Sequence, residues 1–477
     1  MNAKKVSRED APASGVPGLG LGWPSPRHVA TALRLWRHPR LDYEALQSYK
    51  RKKLSRLLRY AGTHIPYYRD AFAEAGLDPR RLPDPFEVLP RLPLLNRMEL
   101  INEPKERLLR PGAVPSRLVQ HSSSGSTGSK LYLWRDPFET HLLQLFRWRF
   151  WRESGLRSRD RIALVRGVFS MTRRPLRITR IRERLGPFYT VDVSPQQPVE
   201  DVIEQLEAVR PDGLFTYPSV LNELARRLRR PERHRLRPRV VGTGGEMVTA
   251  EMRERIETAF GVPLRDTYGA MEFNLLATQC PSSDRFHVLD DAVHIELLAN
   301  GREVEEGEVG EVVVTGLHSY TFPLIRYRLG DLAVRGPSPC PHGAPFSTIE
   351  KLRGRTVEYF YATDGTPVHH WHITQFVHEP IRNARFQYQM VQTAADHIIL
   401  RVVPDREISA PELAEVRRLA AELLGEDMRF EVELVDELAC SPSGKLVMSR
   451  NDYKSPWTGD DRFDPAAWDR WQGGARR

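Results

Sequence analysis

Short apolar runs alternate with helical patterns between residues 138 and 260, and this alternation limits the fold more than any other feature of the sequence. Strands that are each separated by a helix are typical of a parallel sheet with helices packed on its faces. Ligands of such sheets bind at the carboxyl ends of the strands. The segment 242–246 (Gly-Thr-Gly-Gly-Glu) follows one predicted strand and is therefore a candidate site. The predicted strands are 161–165, 213–216 and 240–243, and the predicted helices are 138–154, 199–209, 220–230 and 250–260.

The remaining patterns predict helices before this region and strands after it. Apolar residues at helical spacing indicate helices over 26–36 and 43–60. Beyond residue 286 the pattern changes to strands, and Ser409 and Glu412 have the spacing of a capping box that opens a helix. The predicted elements of this half are strands at 293–298, 310–315, 332–334, 397–403 and 429–435, and a helix at 409–424.

The segment 121–130 (His-Ser-Ser-Ser-Gly-Ser-Thr-Gly-Ser-Lys) consists mostly of Ser, Thr and Gly and lies between predicted strands at 117–120 and 131–134. Gly125 and Gly128 allow positive φ angles, and consecutive N–H groups in such a loop can bind an anion. The segment lacks the spacing of a Walker A loop. It is either a phosphate-binding loop or an ordinary polar hairpin turn.

Further motifs follow this loop in a definite order. They are Gly-Gly-Glu at 244–246, Tyr-Gly-Ala-Met-Glu at 268–272, Arg-Tyr-Arg-Leu-Gly-Asp at 326–331, Gly-Arg at 354–355 and Ser-Gly-Lys at 443–445. Their order and spacing resemble those of the adenylate-forming ligases, the superfamily of acyl-CoA synthetases, peptide-synthetase adenylation domains and luciferases. The chain resembles the phenylacetate–CoA ligase branch most, and within it the capsular-polysaccharide-biosynthesis adenylating subgroup, over about residues 60–452.

The resemblance implies an α/β fold in two parts. A large N-terminal adenylate-forming domain (26–355) would contain α/β sheet layers and a β-rich part, and a small α+β C-terminal lid domain (356–454) would follow. Residues 1–25 are rich in Gly, Pro and Ala and are expected to be disordered, and 455–477 form a polar tail.

The implied activity is an ATP-dependent, AMP-forming ligase. It would convert a small carboxylic acid into acyl-AMP with release of pyrophosphate, and then transfer the acyl group to CoA or another acceptor. His369, His370 and Trp371 stand where phenylacetate–CoA ligases have a Gly-containing segment that admits pantetheine. An amine, a hydroxyl or a carrier-protein thiol therefore remains open as the acceptor. A binding protein of the same fold without catalysis is a further alternative.

The resemblance also assigns roles to individual residues. Thr127, Glu272 and Lys445 would be catalytic, with Glu272 holding Mg²⁺ and Lys445 bridging the substrate carboxylate and the α-phosphate. Tyr268 would stack on adenine, and Asp331 would accept the ribose hydroxyls. The residues implied to contact ATP are Ser123, Ser124, Gly125, Ser126, Thr127, Gly128, Lys130, Gly245, Glu246, Tyr268, Gly269, Asp331 and Arg355. Those implied to line the acyl pocket are Phe169, Tyr217, Ser219, Thr243 and Ala270.

Two Cys/His pairs suggest a second metal. Cys280 with His287 and Cys340 with His342 together offer the four nitrogen and sulfur ligands that structural zinc requires. The alternative is that they are unrelated loop residues, because Cys-x-His is a loose spacing.

Composition limits the kinds of partner that the chain is expected to bind. The 477 residues carry a net charge of +9, and eight arginines fall within 226–239. This run is either a solvated surface or a patch for an anionic partner such as a carrier protein or CoA, and no nucleic-acid-binding signature accompanies it. No apolar run approaches a membrane span, no signal-peptide core precedes residue 22, and three cysteines make no disulfide framework. We therefore predict a cytoplasmic protein that does not bind nucleic acid and has no membrane span.

Overall fold

The computed structural model describes residues 26–124, 130–166, 188–195, 197–228, 234–355, 359–365, 367–369, 373, 380–381, 386–404, 406–436, 438 and 449–453. The predictions for residues 1–25 and 455–477 lie outside these ranges.

Helices form the N-terminal segment and are held to the body of the protein by buried ion pairs. Asp42 caps the second helix by accepting a hydrogen bond from the N–H of Ala45 at 2.7 Å. The ammonium of Lys50 lies 2.7 Å from a carboxylate oxygen of Asp290, and both side chains are buried. The predicted helices 26–36 and 43–60 are confirmed, and the second runs further than predicted. The helices are α1 (Pro26–Leu35), α2 (Tyr43–His64), α3 (Pro66–Glu74), α4 (Pro85–Val88), α5 (Arg97–Asn102) and α6 (Lys105–Leu108).

A β-hairpin follows and carries the Ser/Gly-rich segment between its strands. Its strands β1 (Val119–Ser124) and β2 (Lys130–Arg135) pair antiparallel. The predicted strand at 117–120 was placed too early, because Pro115–Arg117 form a 3₁₀ turn. Proline fixes φ near the helical value and lacks an N–H, which suits the first turn of a helix. Helix α7 (Pro137–Glu153) then begins at a capping box formed by Asp136 and Glu139.

A twelve-stranded mixed sheet forms the centre of the molecule. From one edge to the other its order is β11-β10-β12-β13-β14-β9-β8-β7-β6-β5-β3-β4. The last five strands, from β7 to β4, are parallel, which confirms the α/β prediction for this region. The strands are β3 (Arg161–Val165), β4 (Tyr189–Val193), β5 (Gly213–Thr216), β6 (Val240–Gly244), β7 (Leu264–Ala270), β8 (Asn274–Gln279), β9 (Phe286–Val288), β10 (Val293–Ala299), β11 (Arg302–Glu303), β12 (Val309–Gly316), β13 (Tyr327–Arg335) and β14 (Thr348–Arg355).

Three helices accompany the parallel strands: α8 (Val199–Val209), α9 (Pro218–Leu228) and α10 (Ala250–Phe260). Their apolar faces and the strands form one core, in which Leu206, Leu214, Val241 and Ile256 are all fully buried. Burial on both sides of these strands explains why their sequences are almost continuously apolar.

The C-terminal residues form a smaller α+β unit with its own hydrophobic core. A hairpin of β15 (Tyr359–Tyr361) and β16 (Pro367–His369) precedes a four-stranded sheet of order β19-β18-β17-β20. Helix α11 (Ala410–Leu424) opens at the predicted capping box of Ser409 and Glu412. The sheet strands are β17 (Phe386–Ala394), β18 (His397–Pro404), β19 (Arg429–Leu434) and β20 (Ser449–Asn451). Buried residues of its core include Phe360, Met390, Val402, Val416, Leu424 and Phe430. The predicted fold class is confirmed, whereas the boundaries of the two domains stay a prediction.

Among the described residues, none of the helices combines the length and the hydrophobicity that crossing a bilayer requires.

Candidate active site

Hydrogen bonds from a row of threonine side chains link the carboxyl ends of the parallel strands. The hydroxyl of Thr216 donates to the carbonyl of Val165, that of Thr243 to the carbonyl of Thr216 at 2.8 Å, and that of Thr267 to the carbonyl of Thr243 at 2.7 Å. Each bond joins one strand to the next across β3, β5, β6 and β7. The edge where ligands of parallel sheets bind is therefore regular, and the predicted pocket residue Thr243 lies on it.

The glycine motif at the end of β6 lies against two other predicted site residues. A Cβ on Gly244 would come within 2.4 Å of the Thr267 hydroxyl, so only glycine fits there. Gly245 has φ +83°, and a Cβ on it would lie 3.4 Å from the ring of Tyr217. The carboxylate of Glu246 accepts a hydrogen bond from the backbone N–H of Ser219 at 3.0 Å. The structure thus brings Gly245, Glu246, Tyr217 and Ser219 together.

Tyr268 of β7 and Asp331 of β13 form a buried, hydrogen-bonded pair. The hydroxyl of Tyr268 donates to the Asp331 carboxylate at 2.6 Å, and both residues are 8% exposed. Gly269 follows, and a Cβ there would lie 2.3 Å from the carbonyl oxygen of Asn274, because β7 turns directly into the antiparallel strand β8. Ala270 pairs with Asn274 at this turn. The contact between Tyr268 and Asp331 was not predicted from the sequence, and stacking of Tyr268 on adenine stays a prediction.

Glu272 lies in the same turn and is surrounded by hydrogen-bond donors. The hydroxyl of Tyr327 donates to its carboxylate at 3.3 Å, and the guanidinium of Arg97 lies 3.9 Å away. Burial raises the pKa of Tyr327, and the negative charge of Glu272 raises it further. The Glu272 side chain is 10% exposed, so its position is set mainly by protein contacts.

Arg135, the last residue of β2, connects the hairpin to this turn. Its guanidinium donates to the backbone carbonyls of Met271, at 2.9 Å, and Glu272. The residue is 5% exposed, and burial lowers its pKa to about 10. Arg135 therefore fixes the backbone that carries Glu272 relative to the Ser/Gly-rich segment.

The remaining predicted residues are only partly described. Ser123 and Ser124 lie at the end of β1, where Ser124 pairs with Lys130 across the hairpin. Arg355 lies opposite Asp331 in the register of β13 and β14. The predicted residues outside the described ranges are Gly125, Ser126, Thr127, Gly128, Phe169 and Lys445.

The two Cys/His pairs lie together in three dimensions. The Nδ1 atom of His342 lies 3.7 Å from the sulfur of Cys280 and 3.8 Å from that of Cys340. The Nε2 atom of His287 lies 3.2 Å from the sulfur of Cys340. Ligand atoms of tetrahedral zinc are separated by roughly 3.5 Å, given bonds of about 2.0–2.3 Å. Burial lowers the pKa of His287 to about 4, which keeps its imidazole neutral, as a zinc ligand must be.

Comparison with known proteins shows to which families the chain is similar. The family model of the AMP-binding enzymes matches residues 188–320, and the model of the CapK C-terminal domain matches residues 360–452. A phenylacetate-coenzyme A ligase of Pseudomonas putida is 28% identical over 66% of this chain and 71% of its own length. Protein CapK of Staphylococcus aureus is 24% identical over 53% of this chain and 55% of its own length. The chain is thus similar to adenylate-forming enzymes, on the branch of phenylacetate–CoA ligases and CapK.

A solved structure has the same fold as this chain. A 2-hydroxyisobutyryl-CoA ligase, crystallised in the postadenylation state with an acyl-AMP, superposes with a TM-score of 0.67. The alignment covers 87% of this chain and 91% of that ligase at 21% identity. The predicted fold class is therefore confirmed.

Two arginines near the candidate site were missed by the sequence analysis: Arg135 and, on α7, Arg147. Arg147 donates to the side chain of Asn274 at 2.6 Å, two residues after Glu272. Neither arginine belongs to a motif with a recognisable spacing. The position of Arg135 at the end of the strand that follows the Ser/Gly-rich segment was the one available signal.

Proposed function

We propose that this enzyme activates a carboxylic acid with ATP, forming acyl-AMP and releasing pyrophosphate. The observation that carries the proposal is the turn at the end of β7. It places the Tyr268–Asp331 pair and Glu272 together at the carboxyl ends of the parallel strands, and Arg135 ties it to the Ser/Gly-rich hairpin. Three separate motifs thus converge on one edge of the sheet.

Each group has a role that fits its chemistry. The Asp331 carboxylate can accept hydrogen bonds from two ribose hydroxyls, while the Tyr268 hydroxyl holds it in place. The backbone N–H groups of 123–130 would bind the phosphates. Glu272 would hold Mg²⁺, which prefers carboxylate and phosphate oxygens and which, when bound, neutralises charge on the triphosphate. We assign Lys445, by resemblance, to the charge that develops between the substrate carboxylate and the α-phosphate.

CoA is the acceptor that the similarity to phenylacetate–CoA ligases supports. One sequence feature favours a second candidate, because His369, His370 and Trp371 stand where phenylacetate–CoA ligases have a Gly-containing segment. An amine, a hydroxyl or a carrier-protein thiol would then receive the acyl group. A cytoplasmic location stays a prediction from the small number of cysteines.

Pyrophosphate release with ATP, Mg²⁺ and a panel of carboxylic acids tests the activation step. We expect release that depends on the acid, and Asp331→Ala should remove it. The absence of acid-dependent release across aryl, alkyl and dicarboxylic acids would contradict the proposal. The acceptor is tested by adding CoA or hydroxylamine after acyl-AMP has formed. CoA should yield a thioester if it is the acceptor, whereas hydroxylamine should trap the adenylate whichever acceptor the enzyme uses.

We further propose that Cys280, Cys340, His342 and His287 hold a structural zinc ion. The ligand atoms of Cys280, Cys340 and His342 lie within 4.8 Å of one another, and His287 of β9 contacts the sulfur of Cys340. The metal would join these residues and would stabilise the connection between β8, β9 and the loop before β14.

A further inference from the structure

Arg147 lies on the face of α7 that packs on the sheet beside the candidate active site. On the same helix, the ring of Phe150 contacts Phe215 of β5 edge-on, with 6.1 Å between ring centres. The guanidinium of Arg147 donates to the side-chain oxygen of Asn274, the first residue of β8. Asn274 pairs with Ala270, one of the residues predicted to line the acyl pocket.

Asn274 is itself held in an uncommon conformation. Its φ of +70° is rare for a residue with a side chain, and its amide nitrogen donates to the carbonyl of Leu143 on α7 at 3.0 Å. These two bonds fix the Asn274 side chain between α7 and the turn. The guanidinium of Arg147 is therefore held at a defined position, not merely in the neighbourhood of the site.

The surroundings of Arg147 contain no carboxylate among the described residues. The groups that bond to it or shift its pKa are Asn274, Tyr217 and Arg166. Burial and, to a smaller extent, the charge of Arg166 lower the pKa of Arg147 to about 10, while Tyr217 acts in the opposite direction. Its Nε atom is buried and has no hydrogen-bond partner in the described part of the chain. Arg166 is already paired with Asp192 at 2.7 Å.

Two buried arginines of this protein are paired with carboxylates, whereas the buried Arg135 bonds to backbone carbonyls. Arg149 contacts Asp291, and Arg326 lies 3.0 Å from Glu296. Arg147 is partly buried, and no carboxylate of the described residues pairs with it. Because withdrawing a cation from water without a counter-ion is costly, this environment suits a residue that receives its anion from outside the protein. The neighbouring Tyr217, whose ring faces Gly245, places this charge beside the predicted acyl pocket.

We propose that Arg147 binds an anionic group of the acyl substrate, so that the enzyme activates an acid that carries a second negative charge, such as a dicarboxylate. A guanidinium binds a carboxylate through two parallel hydrogen bonds, and the Nε atom with one terminal nitrogen presents that geometry. This inference rests on the proposed function, since it specifies the substrate of the same site.

The test compares acids that differ only in a second carboxylate: 4-carboxyphenylacetate with phenylacetate, and glutarate with butyrate. We expect the wild-type enzyme to prefer the diacid of each pair by kcat/KM for pyrophosphate release. In Arg147→Gln the value for the diacid should fall by roughly 10- to 150-fold, the range of a hydrogen bond to a charged group, while the monoacid changes little. Arg152→Gln, on an exposed position of the same helix, is the matched control and should keep the preference.

Asn274→Asp provides a second variant that retains Arg147. It places a carboxylate where the structure has the amide oxygen, 2.6 Å from the guanidinium, and asparagine and aspartate both tolerate positive φ. The internal anion should compete with the diacid and remove the preference. Because aspartate cannot donate to the Leu143 carbonyl, the melting temperature of the variant is measured alongside to check that it is folded. A preference of the wild type for the monoacids, an equal loss for both acids in Arg147→Gln, or a diacid preference that Asn274→Asp leaves intact would overturn the proposal.

Binding without turnover separates this inference from the proposed function. The melting temperature of each variant is measured with 4-carboxyphenylacetate or phenylacetate in the absence of ATP. A shift caused by the diacid in wild type and lost in Arg147→Gln supports the anion site even if no acid releases pyrophosphate. Equal shifts in both proteins overturn the anion site, even if pyrophosphate release establishes the ligase activity.

Discussion

Replacing Arg135 by methionine tests how the Glu272 turn is positioned. Methionine fills most of the space of the arginine stem but donates no hydrogen bonds. The carbonyls of Met271 and Glu272 would lose the guanidinium that bonds to both. We expect the rate of adenylate formation to fall much more than the stability of the fold.

The size of each effect follows from the burial of Arg135. Two hydrogen bonds from a charged donor contribute about 1.5–3 kcal/mol each, or about 3–6 kcal/mol together. Against this, the drop in pKa from 12.5 to about 10 corresponds to about 3 kcal/mol that burying the charge costs. The variant recovers that cost, so its free energy of unfolding should fall by only about 0–3 kcal/mol. A displacement of the Glu272 carboxylate by about 1 Å, in contrast, typically lowers an enzymatic rate about 100-fold.

Urea unfolding and pyrophosphate release measure the two quantities on the same protein. Arg135→Lys is the matched control, because it keeps the charge but reaches fewer acceptors, and its rate should lie between wild type and Arg135→Met. A loss of more than about 5 kcal/mol in the free energy of unfolding would show that the two hydrogen bonds of Arg135 contribute more to stability than about 6 kcal/mol. An unchanged rate in a folded Arg135→Met would refute the positioning argument.

Three further predictions concern single groups. Tyr268→Phe removes the 2.6 Å bond to Asp331 and should raise the KM for ATP about 10- to 100-fold with a smaller change in kcat; unchanged ATP affinity would contradict the role of the pair. Lys445→Ala should lower adenylate formation roughly 10²–10³-fold but accept synthetic acyl-AMP at a normal rate, and normal adenylation would exclude that lysine from the chemistry. Purified protein should contain one zinc ion per chain by metal analysis, and Cys340→Ser should lose it; metal-free wild type would end the zinc proposal.

Much of the fold follows from local patterns, and the exceptions have a physical reason. Helices α8 and α10 have the predicted ends because each has an apolar face at helical spacing and is bounded by proline or glycine. Strand β7 was missed because its buried positions include Asp266, a polar residue where the alternation requires an apolar one. Strand β8 was missed with it, since the two pair across one turn.

Some residues of the candidate site could likewise be predicted from local patterns, and others could not. Gly245, Tyr268 and Asp331 belong to motifs, so they were predicted without knowledge of the fold. Arg135 and Arg147 bond to residues more than a hundred positions away along the chain, and sequence spacing carries no information on such contacts. The pairing of Cys280 with His342 is also long-range, but cysteine and histidine are rare enough here to be noticed individually.

The buried Asp266 gives a prediction for the pH dependence of stability. Burial raises its pKa from 3.8 to about 7, while the N–H of Thr267 and the charge of Arg253 act in the opposite direction. Between these two values the folded state binds more protons than the unfolded state, so the free energy of unfolding falls as the pH rises from about 4 to about 7. A difference of about 3 pKa units corresponds to about 4 kcal/mol.

Asparagine at this position has the same shape, can still accept the hydrogen bond from Thr267, and does not ionise. The free energy of unfolding of Asp266→Asn, relative to wild type, should therefore increase by about 4 kcal/mol between pH 4 and pH 8. Urea unfolding of both proteins across this range measures the difference, with Asp201→Asn on the exposed first turn of α8 as the control. Parallel stability curves of wild type and Asp266→Asn over this range would show that Asp266 is already ionised in the folded protein, where Arg253 stabilises it. Strand β7, which also contains Tyr268, would then carry a negative charge at neutral pH.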